Sequence, residues 1–520
     1  MYDYIIIGAG SAGCVLANRL SIDPRARVLL LEAGQPDRNP LIHIPLAWTR
    51  TLKTSLDWNF TTEPQPQLKD RCLYWPRGKT LGGSSSINAM IYIRGSQRDY
   101  DNWAELGNEG WDYASLVPYF RQAEQNSRGA STYHGAGGPL HVSDLIEPNP
   151  ITEAFVTAAN NVGHNYRTDF NGVTQAGFGM YQVTQKDGQR CSAATAYLKP
   201  VMERPNLTVM TGAHVTNMLF QNKRVVGVAY QHHGTQHEAY AASEVILSGG
   251  AINTPQLLML SGVGSADHLQ ANDIDVIVDL PGVGQNLQDH LAVGVGYYSV
   301  RPVSLEAAEK PRHLIEYLTQ HKGMLTSNGS EAGGFTFYDK TEKTPDVQYH
   351  FIPKFFLNHS QSPLAGYGFT LGPLVLRPKS RGHITLRSND PMQAPVIQPN
   401  YLSHDDDLKP LIWGIKHARE IVNDAAFDAY RGLEIMPGSE IQTDAEITNY
   451  IRDFAETLYH PVGTAKMGSD ADAVVDSQLR VHGLEGLRVV DASIMPQIVS
   501  GNTNAPVIAI AEKAADMIQP

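Results

Sequence analysis

The chain has 520 residues, 42% of them hydrophobic and 18% charged, the proportions of a globular enzyme too large for one compact core. Two intimately joined domains are therefore expected. A net charge of −12 and the lack of a basic stripe exclude nucleic acid as a partner, and no apolar run is long enough to span a bilayer.

The N-terminus opens on an apolar strand, Tyr4 to Ile7, that runs into Gly8-Ala-Gly10-Ser11-Ala12-Gly13. A helix-length stretch follows (Ser11 to Ser21), then a second strand (Arg27 to Leu31) that ends in Glu32 and Ala33. Gly8 permits the tight turn, Gly10 lets the backbone approach a pyrophosphate, and Gly13 lets the helix pack closely on the sheet. The helix N-terminus faces the phosphates. Glu32, about 20 residues on, is placed to accept hydrogen bonds from an adenosine ribose. A glycine turn alone is weak; strand, helix, second strand and terminal carboxylate together predict a dinucleotide site in a Rossmann-like unit. Because the turn starts at Gly8, no room is expected for a signal peptide. Cys14, Cys72 and Cys191 are too few and scattered for a disulfide frame or a zinc site, so reduced thiols, no metal and a cytoplasmic location are expected.

No second glycine turn completes the pattern, since Gly262-Val-Gly264, Gly282-Val-Gly284 and Gly294-Val-Gly296 all lack the third glycine. If the nucleotide is FAD, electrons then come directly from a small substrate. Gln35 to Trp75 has little periodicity and reads as a long lid or cofactor cover. The small-residue segment Gly78 to Met90 allows close backbone approach to a planar ligand. Strands are predicted at Asn206–Thr211, His214–Phe220, Arg224–Gln231 and Glu244–Ser248, the last running into Gly249-Gly250 and a helix at Thr254–Leu260.

Residues 291–454 mix strand-like alternation (Val347–Ile352, His383–Arg387) with amphipathic helices (Asp407–Asp424, Asp444–Phe454). This pattern predicts a substrate domain of antiparallel sheet backed by helices. The overall expectation is an α/β fold with an α+β substrate domain. The nucleotide-binding domain is assigned residues 1–150, 191–290 and 455–520, and the substrate domain 151–190 and 291–454. A last strand, Leu487–Val490, ends in Asp491, and a final helix, Ala505–Ile518, carries Pro506 in its first turn.

Two C-terminal blocks carry chemistry: Leu458-Tyr459-His460-Pro-Val-Gly-Thr-Ala-Lys-Met-Gly468 and Gly501-Asn502-Thr503-Asn504-Ala-Pro506. A histidine before proline sits in extended, rigid backbone, and a neutral imidazole can take an alcohol proton. The alternative reading of His460 is a satisfied structural histidine. Asn504 is read as the group that hydrogen-bonds the same oxygen. The last helix N-terminus would stabilise the negative charge left on a reduced flavin, and Asp491 is placed to touch the ribityl or phosphate region.

These residues resemble the glucose–methanol–choline (GMC) flavoprotein oxidoreductases over essentially the whole chain. The blocks GAGSAG with Glu32, GKTLGGSSSINAM (Gly78 to Met90), GAINTPQLLMLSGVG (Gly250 to Gly264), YHPVGTAKMG and NTNAP occur in the family's order. The resemblance implies bound FAD, with Gly8, Gly10, Gly13 and Glu32 on its ADP half and Val215 near the adenine. It places Gly83, Asn88, Ala89 and Met90 along the isoalloxazine, and Asp491, Ala492, Asn502 and Thr503 at the ribityl and flavin edge. His460 matches the family's catalytic histidine and Asn504 its partner. Family members that link FAD covalently use a histidine where this chain has Ile87, so non-covalent FAD is implied.

Choline oxidases carry a glutamate after the pair matched by Asp289-His290; here Leu291 and Ala292 stand there, which points to a neutral substrate. The implied reaction is oxidation of a primary alcohol to an aldehyde: His460 takes the hydroxyl proton while hydride passes to flavin N5. The electron acceptor, a quinone or oxygen, stays open, as does choline as substrate, and so does a peripheral contact with the inner membrane. Phe351, Phe355, Phe356 and Tyr459 are candidate walls of an apolar substrate pocket, the alternative for that aromatic cluster being domain core.

Overall fold

The computed structural model describes residues 1–362 and 364–519. Strand β1 (Tyr2–Ile7), helix α1 (Ser11–Leu20) and strand β2 (Val28–Glu32) form the first unit. The two strands are parallel, with Ile5 beside Leu29, Ile6 beside Leu30 and Ile7 beside Leu31. Both faces of this sheet are covered, which is why its strands read as unbroken apolar runs. Strand β3 (Leu207–Thr211) adds beyond β2.

Strands β4 (Ala213–Gln221), β5 (Arg224–His232) and β6 (Thr235–Leu247) follow as an antiparallel meander. The end of β6 lies parallel to β1, Val245 beside Ile5, and on its other side to β7 (Leu487–Val489). The parallel order is thus β3-β2-β1-β6-β7. The strand expected at Glu244–Ser248 therefore starts much earlier, at Thr235. Its first half is an exposed hairpin arm without a buried face, so it carries no apolar signal.

Helix α2 (Gly250–Leu260) follows β6, and helix α3 (Asn504–Ile518) comes after β7. Helix α3 packs on α1 through a buried carboxylate. Glu512 accepts Arg19 Nε and Nη2, both at 2.7 Å, and Tyr197 Oη at 2.8 Å. This contact brings the two ends of the chain together, which sets the N-terminus of α3 beside that of α1.

The second sheet is antiparallel throughout its main path. Its order is Arg431–Met436, Val295–Ser299, Gly368–Val375, Val347–Ile352, Ala332–Thr336 and Gly177–Met180. Helices Leu408–Val422 and Pro150–Asn161 cover one face, where Phe155 stacks on Phe351 at 4.5 Å between ring centres. Helix Asp444–Phe454 starts at a reciprocal cap between Thr443 and Glu446. This is the α/β architecture with an antiparallel second domain that the sequence pattern suggested. Two details differ. Strand Glu456–Thr457 joins the second sheet through Leu291–Ala292, so that sheet runs past residue 454. His383–Thr385 pairs with Val396–Gln398 in a small hairpin outside it.

Candidate active site

Two helices begin at glycine and a third at Thr503, and the fold turns all three starts toward one long cavity. Helices α1, α2 and α3 are capped at Gly10, Gly249 and Thr503, and none of the three has a side-chain cap. Apart from Gly250 N, which the Asp491 carboxylate takes, their first-turn N–H groups offer anion-binding donors to whatever fills the cavity. Gly10, Ser11, Ala12, Gly249, Gly250, Asn502, Thr503 and Asn504 all line it.

The glycines separate into two kinds. Gly8 has φ +95°, and a Cβ there would lie 2.5 Å from Ser248 O; a Cβ on Gly13 would lie 1.9 Å from Gly8 O. Packing alone requires these two, and Gly13 sits behind the cavity wall instead of on it. A Cβ on Gly10, in contrast, would meet no protein atom within 4 Å. Its bareness serves the space in front of it, as a close-lying phosphate requires. Gly83 also lines the cavity, and its Cβ would stand 2.7 Å from Gly10 Cα.

Glu32 and Ala33 form the cavity wall beside Val215. The Glu32 carboxylate accepts Ala9 N and Gly34 N, each at 2.8 Å, and burial pushes it up to about 7. Ser248 Oγ is buried on the same wall without a hydrogen-bond partner. The free helix starts of α1 and α3, a glycine that packing does not require and the unpartnered Ser248 Oγ together fit the dinucleotide that the sequence implied. Asp491 is a partial correction. Its carboxylate is saturated by Gly250 N, Thr254 Oγ1 and both Ser493 N and Oγ, so it ties α2 to the last strand and keeps no lone pair for a ligand's hydroxyls.

Asn88, Ala89 and Met90 lead toward the end of the cavity where His460 lies, with Tyr459 beside it. Tyr459 is held at φ +72°, an unusual backbone for a bulky residue. Arg77 Nη2 grips its carbonyl at 2.6 Å, Thr457 Oγ1 accepts its N–H at 2.8 Å, and its hydroxyl meets His359 Nδ1 at 2.6 Å. The His460 N–H donates to Asp289 Oδ1 at 2.7 Å. Asp289 is itself buried and pushed up to about 6, largely by burial.

The imidazole of His460 is buried between two partners. Its Nδ1 lies 2.9 Å from His290 Nδ1, and its Nε2 lies 3.1 Å from Asn502 Nδ2. Burial first, then His290, His350 and Arg77, hold it well below the ordinary imidazole range, so it is neutral at pH 7.

The amide beside the imidazole is Asn502, which corrects the assignment of that role to Asn504. Asn504 is the first residue of α3, and its Oδ1 accepts Ser11 Oγ at 2.6 Å. The first helical turn swings these two asparagines to different partners, a distinction that linear spacing does not carry.

The aromatic candidates divide by the pleat of strand Val347–Ile352. His350 and Ile352 face the cavity, while Phe351 faces Phe155 in the core. Phe351 is therefore not a pocket wall. Neither is Phe355, whose ring packs over Gly368 and against Tyr298 at 5.3 Å. Phe356 does line the cavity, with Trp48 at 6.2 Å from it and Tyr459 at 6.4 Å from Trp48. Trp48 and Leu52 come from the aperiodic stretch read as a cover.

His350 was missed in the sequence. Its Nδ1 lies 3.0 Å from Ser330 Oγ, its Nε2 is buried without a partner, and burial pushes the ring down to about 3. The legible signal was the alternation Gln348, His350 inside an otherwise apolar strand. Among the described residues there is no cluster of three or more metal-ligating side chains, and no helix is long and apolar enough to cross a membrane.

The family model described as GMC oxidoreductase matches residues 2–292 with its N-terminal part and 378–511 with its C-terminal part. Over 100% of its length the chain is 50% identical to the alcohol dehydrogenase [acceptor] of Pseudomonas putida, covering 96% of that protein. It is 47% identical to the mitochondrial choline dehydrogenase of Mus musculus, covering 100% of this chain and 89% of the relative. A formate oxidase of Aspergillus oryzae, solved in a study of its FAD modification, superposes with a TM-score of 0.94 at 29% identity, covering 100% of this chain and 98% of the other.

Proposed function

The chain belongs to the GMC oxidoreductase family, and from that membership we propose that it oxidises a primary alcohol to an aldehyde, with His460 as the base. It is an FAD-dependent oxidoreductase of the alcohol dehydrogenase type. Bound FAD supplies the acceptor for hydride leaving the carbinol carbon.

The observation that carries the reading is the neutral, buried His460 with Nε2 turned to the cavity beside Asn502. An alcohol hydroxyl entering there displaces the amide from Nε2 and gives its proton to the imidazole. Asn502 Nδ2 and the unpartnered His350 Nε2 then donate to the developing alkoxide, an arrangement that favours the transition state over the bound alcohol. Gly8, Gly10, Ser11, Ala12, Glu32 and Ala33 would hold the ADP half of the cofactor, and Val215 the adenine. Gly83, Asn88, Ala89, Met90, Ala492, Asn502 and Thr503 would flank the flavin. Ile87 offers no nucleophile, so the attachment is non-covalent.

Trp48, Phe356 and Tyr459 form an apolar mouth for the alkyl part of the substrate, which favours medium-chain or aromatic alcohols. The same three rings could seat a quaternary ammonium by cation–π attraction, which favours choline as a second reading. Against it, the carboxylates on the described cavity wall are Glu32, on the ADP half, and the saturated Asp491.

Anaerobic mixing of the yellow enzyme with hexanol, benzyl alcohol or choline tests both. Bleaching in the dark by the neutral alcohols, with kcat/KM above that for choline, is expected. A kcat/KM for choline far above that for hexanol overturns the first reading in favour of the second. Re-oxidation of the bleached enzyme by a quinone, rather than by air, would identify the acceptor class.

A further inference from the structure

Arg190 ends the short strand Gln189–Arg190 and lies behind the Gly83–Met90 segment, with 2% of its surface exposed. Its Nε donates to Ile42 O at 2.7 Å, and Nη1 donates to Ser85 O at 3.1 Å and to Asn88 Oδ1 at 2.8 Å. Its Nη2 is buried with no hydrogen-bond partner among the described residues. Among the described residues, no carboxylate lies within ion-pair distance of it. Other buried arginines behave differently: Arg94 is paired with Glu124 at 2.6 Å and Arg488 with Glu244 at 2.7 Å.

Burial alone pushes the Arg190 guanidinium down to about 9, so it stays charged at neutral pH. A buried cation with no counter-charge is costly, and chains usually neutralise it with an acid. Here that acid is missing, and one side chain separates the cation from the cavity. Asn88 lines the cavity, and its Oδ1 accepts both Arg190 Nη1 and, at 3.0 Å, Met90 N.

We propose that Arg190 is the standing counter-charge for the negative charge that hydride transfer places on the flavin, acting through the Asn88 amide. In that step the carbinol C–H bond breaks, and its electron pair and hydrogen pass to the ring. The hydroxyl proton goes to His460, and the ring is left one unit more negative. A fixed, unpaired cation in a buried wall favours that product without any rearrangement. Arg190 is in this sense a positioning residue of charge, one that touches neither substrate nor ring. The inference rests on the FAD reading and adds to it a determinant of the reduction potential.

The test uses FAD-loaded wild type, R190K and R190Q. The two-electron midpoint potential is measured against equilibrating dyes, and sulfite affinity is measured as a second readout, because sulfite addition also leaves the ring negative. R190Q is expected to weaken the reduction equilibrium about tenfold, a drop of about 30 mV, and to weaken sulfite binding similarly. R190K keeps the charge and stays within about threefold of wild type on both readouts. If Arg190 is only a structural pin, R190K and R190Q lose FAD alike while the protein that retains it keeps the wild-type potential, which overturns the proposal. Should R190Q fail to accumulate, N88D, which sets a carboxylate on the guanidinium at an existing contact, is read in the same way, and an unchanged midpoint overturns the proposal. A wild-type protein purified without any flavin would instead overturn the FAD reading.

Discussion

Nδ1 of His290 lies 2.9 Å from Nδ1 of His460, and the contact decides which nitrogen of His460 is bare. His290 Nε2 is 3.0 Å from the carbonyl of Leu376, so it carries the proton there and leaves Nδ1 as an acceptor. His460 Nδ1–H then donates to it, and His460 Nε2 keeps its lone pair toward Asn502 and the cavity. Burial holds His290 down to about 4, so the relay stays neutral through the working pH range. Replacing His290 by Phe removes the acceptor and with it the tautomer preference. We expect kcat to fall about tenfold to hundredfold, a share of what a general base supplies, with KM and FAD content little changed. Asn in the same place can accept from Nδ1–H and should restore part of the rate. Loss of FAD in parallel with rate would show that His290 serves the fold instead.

The rate should also report the lowered basicity of His460. An ordinary imidazole titrates near pH 6.5, and this one is displaced downward. The base must be neutral to accept a proton, so activity is lost as pH falls through its own value and not before. We expect kcat/KM to be level from about pH 8 to about pH 6.5 and to decline only below that. An acidic limb above pH 6.5 would mean that another group governs proton removal.

Glu32 makes a linked prediction with the opposite direction. Burial pushes its carboxyl up to about 7 in the nucleotide-free protein, and the unfolded chain has it near 4.3. Between those values the folded state holds the extra proton, so the stability this group contributes to the nucleotide-free protein is lost as pH rises toward 7. Ribose hydroxyls donate more strongly to an ionised carboxylate than to a protonated one, so FAD binding favours loss of that proton. The dissociation constant of FAD should therefore tighten as pH rises from about 6 to about 8. Glu32→Gln should weaken binding and flatten the dependence, as measured by fluorescence titration of the apoprotein. A dependence that persists in the Gln variant would assign it elsewhere.

The opening unit was legible because its signals are local: the glycines, the apolar strands and Glu32 fall within one continuous stretch. The second domain was legible as a class because its signals are also local, as the alternation at Val347–Ile352 and the amphipathic run at Asp444–Phe454 show. What escaped was set by side-chain direction. Phe351 and His350 are neighbours in sequence, and choosing the wrong one as a wall is a one-residue error on a pleated strand. Asn502 and Asn504 were exchanged for a similar reason, since a helix start separates side chains two positions apart. The roles of His290 and Arg190 were invisible for a different reason. Each acts across more than a hundred residues of sequence, through contacts to His460 and Asn88 that no spacing encodes.

Phe356 tests the pocket wall itself. Its ring, with Trp48 and Tyr459, closes the apolar mouth above Ala89, and it belongs to the same small cluster as Leu52 and Ile87. Each methylene sheltered from water there is worth about 0.8 kcal/mol. Phe356→Ala should therefore leave kcat/KM for ethanol nearly unchanged and lower it for hexanol about tenfold or more, chiefly through KM. The loss grows with chain length because only the distal carbons reach the ring. An equal loss at every length would mean that the ring shapes the flavin end of the cavity and not the alkyl path. A loss confined to choline would point to the three rings as a cation seat and would move the substrate assignment to the quaternary amine.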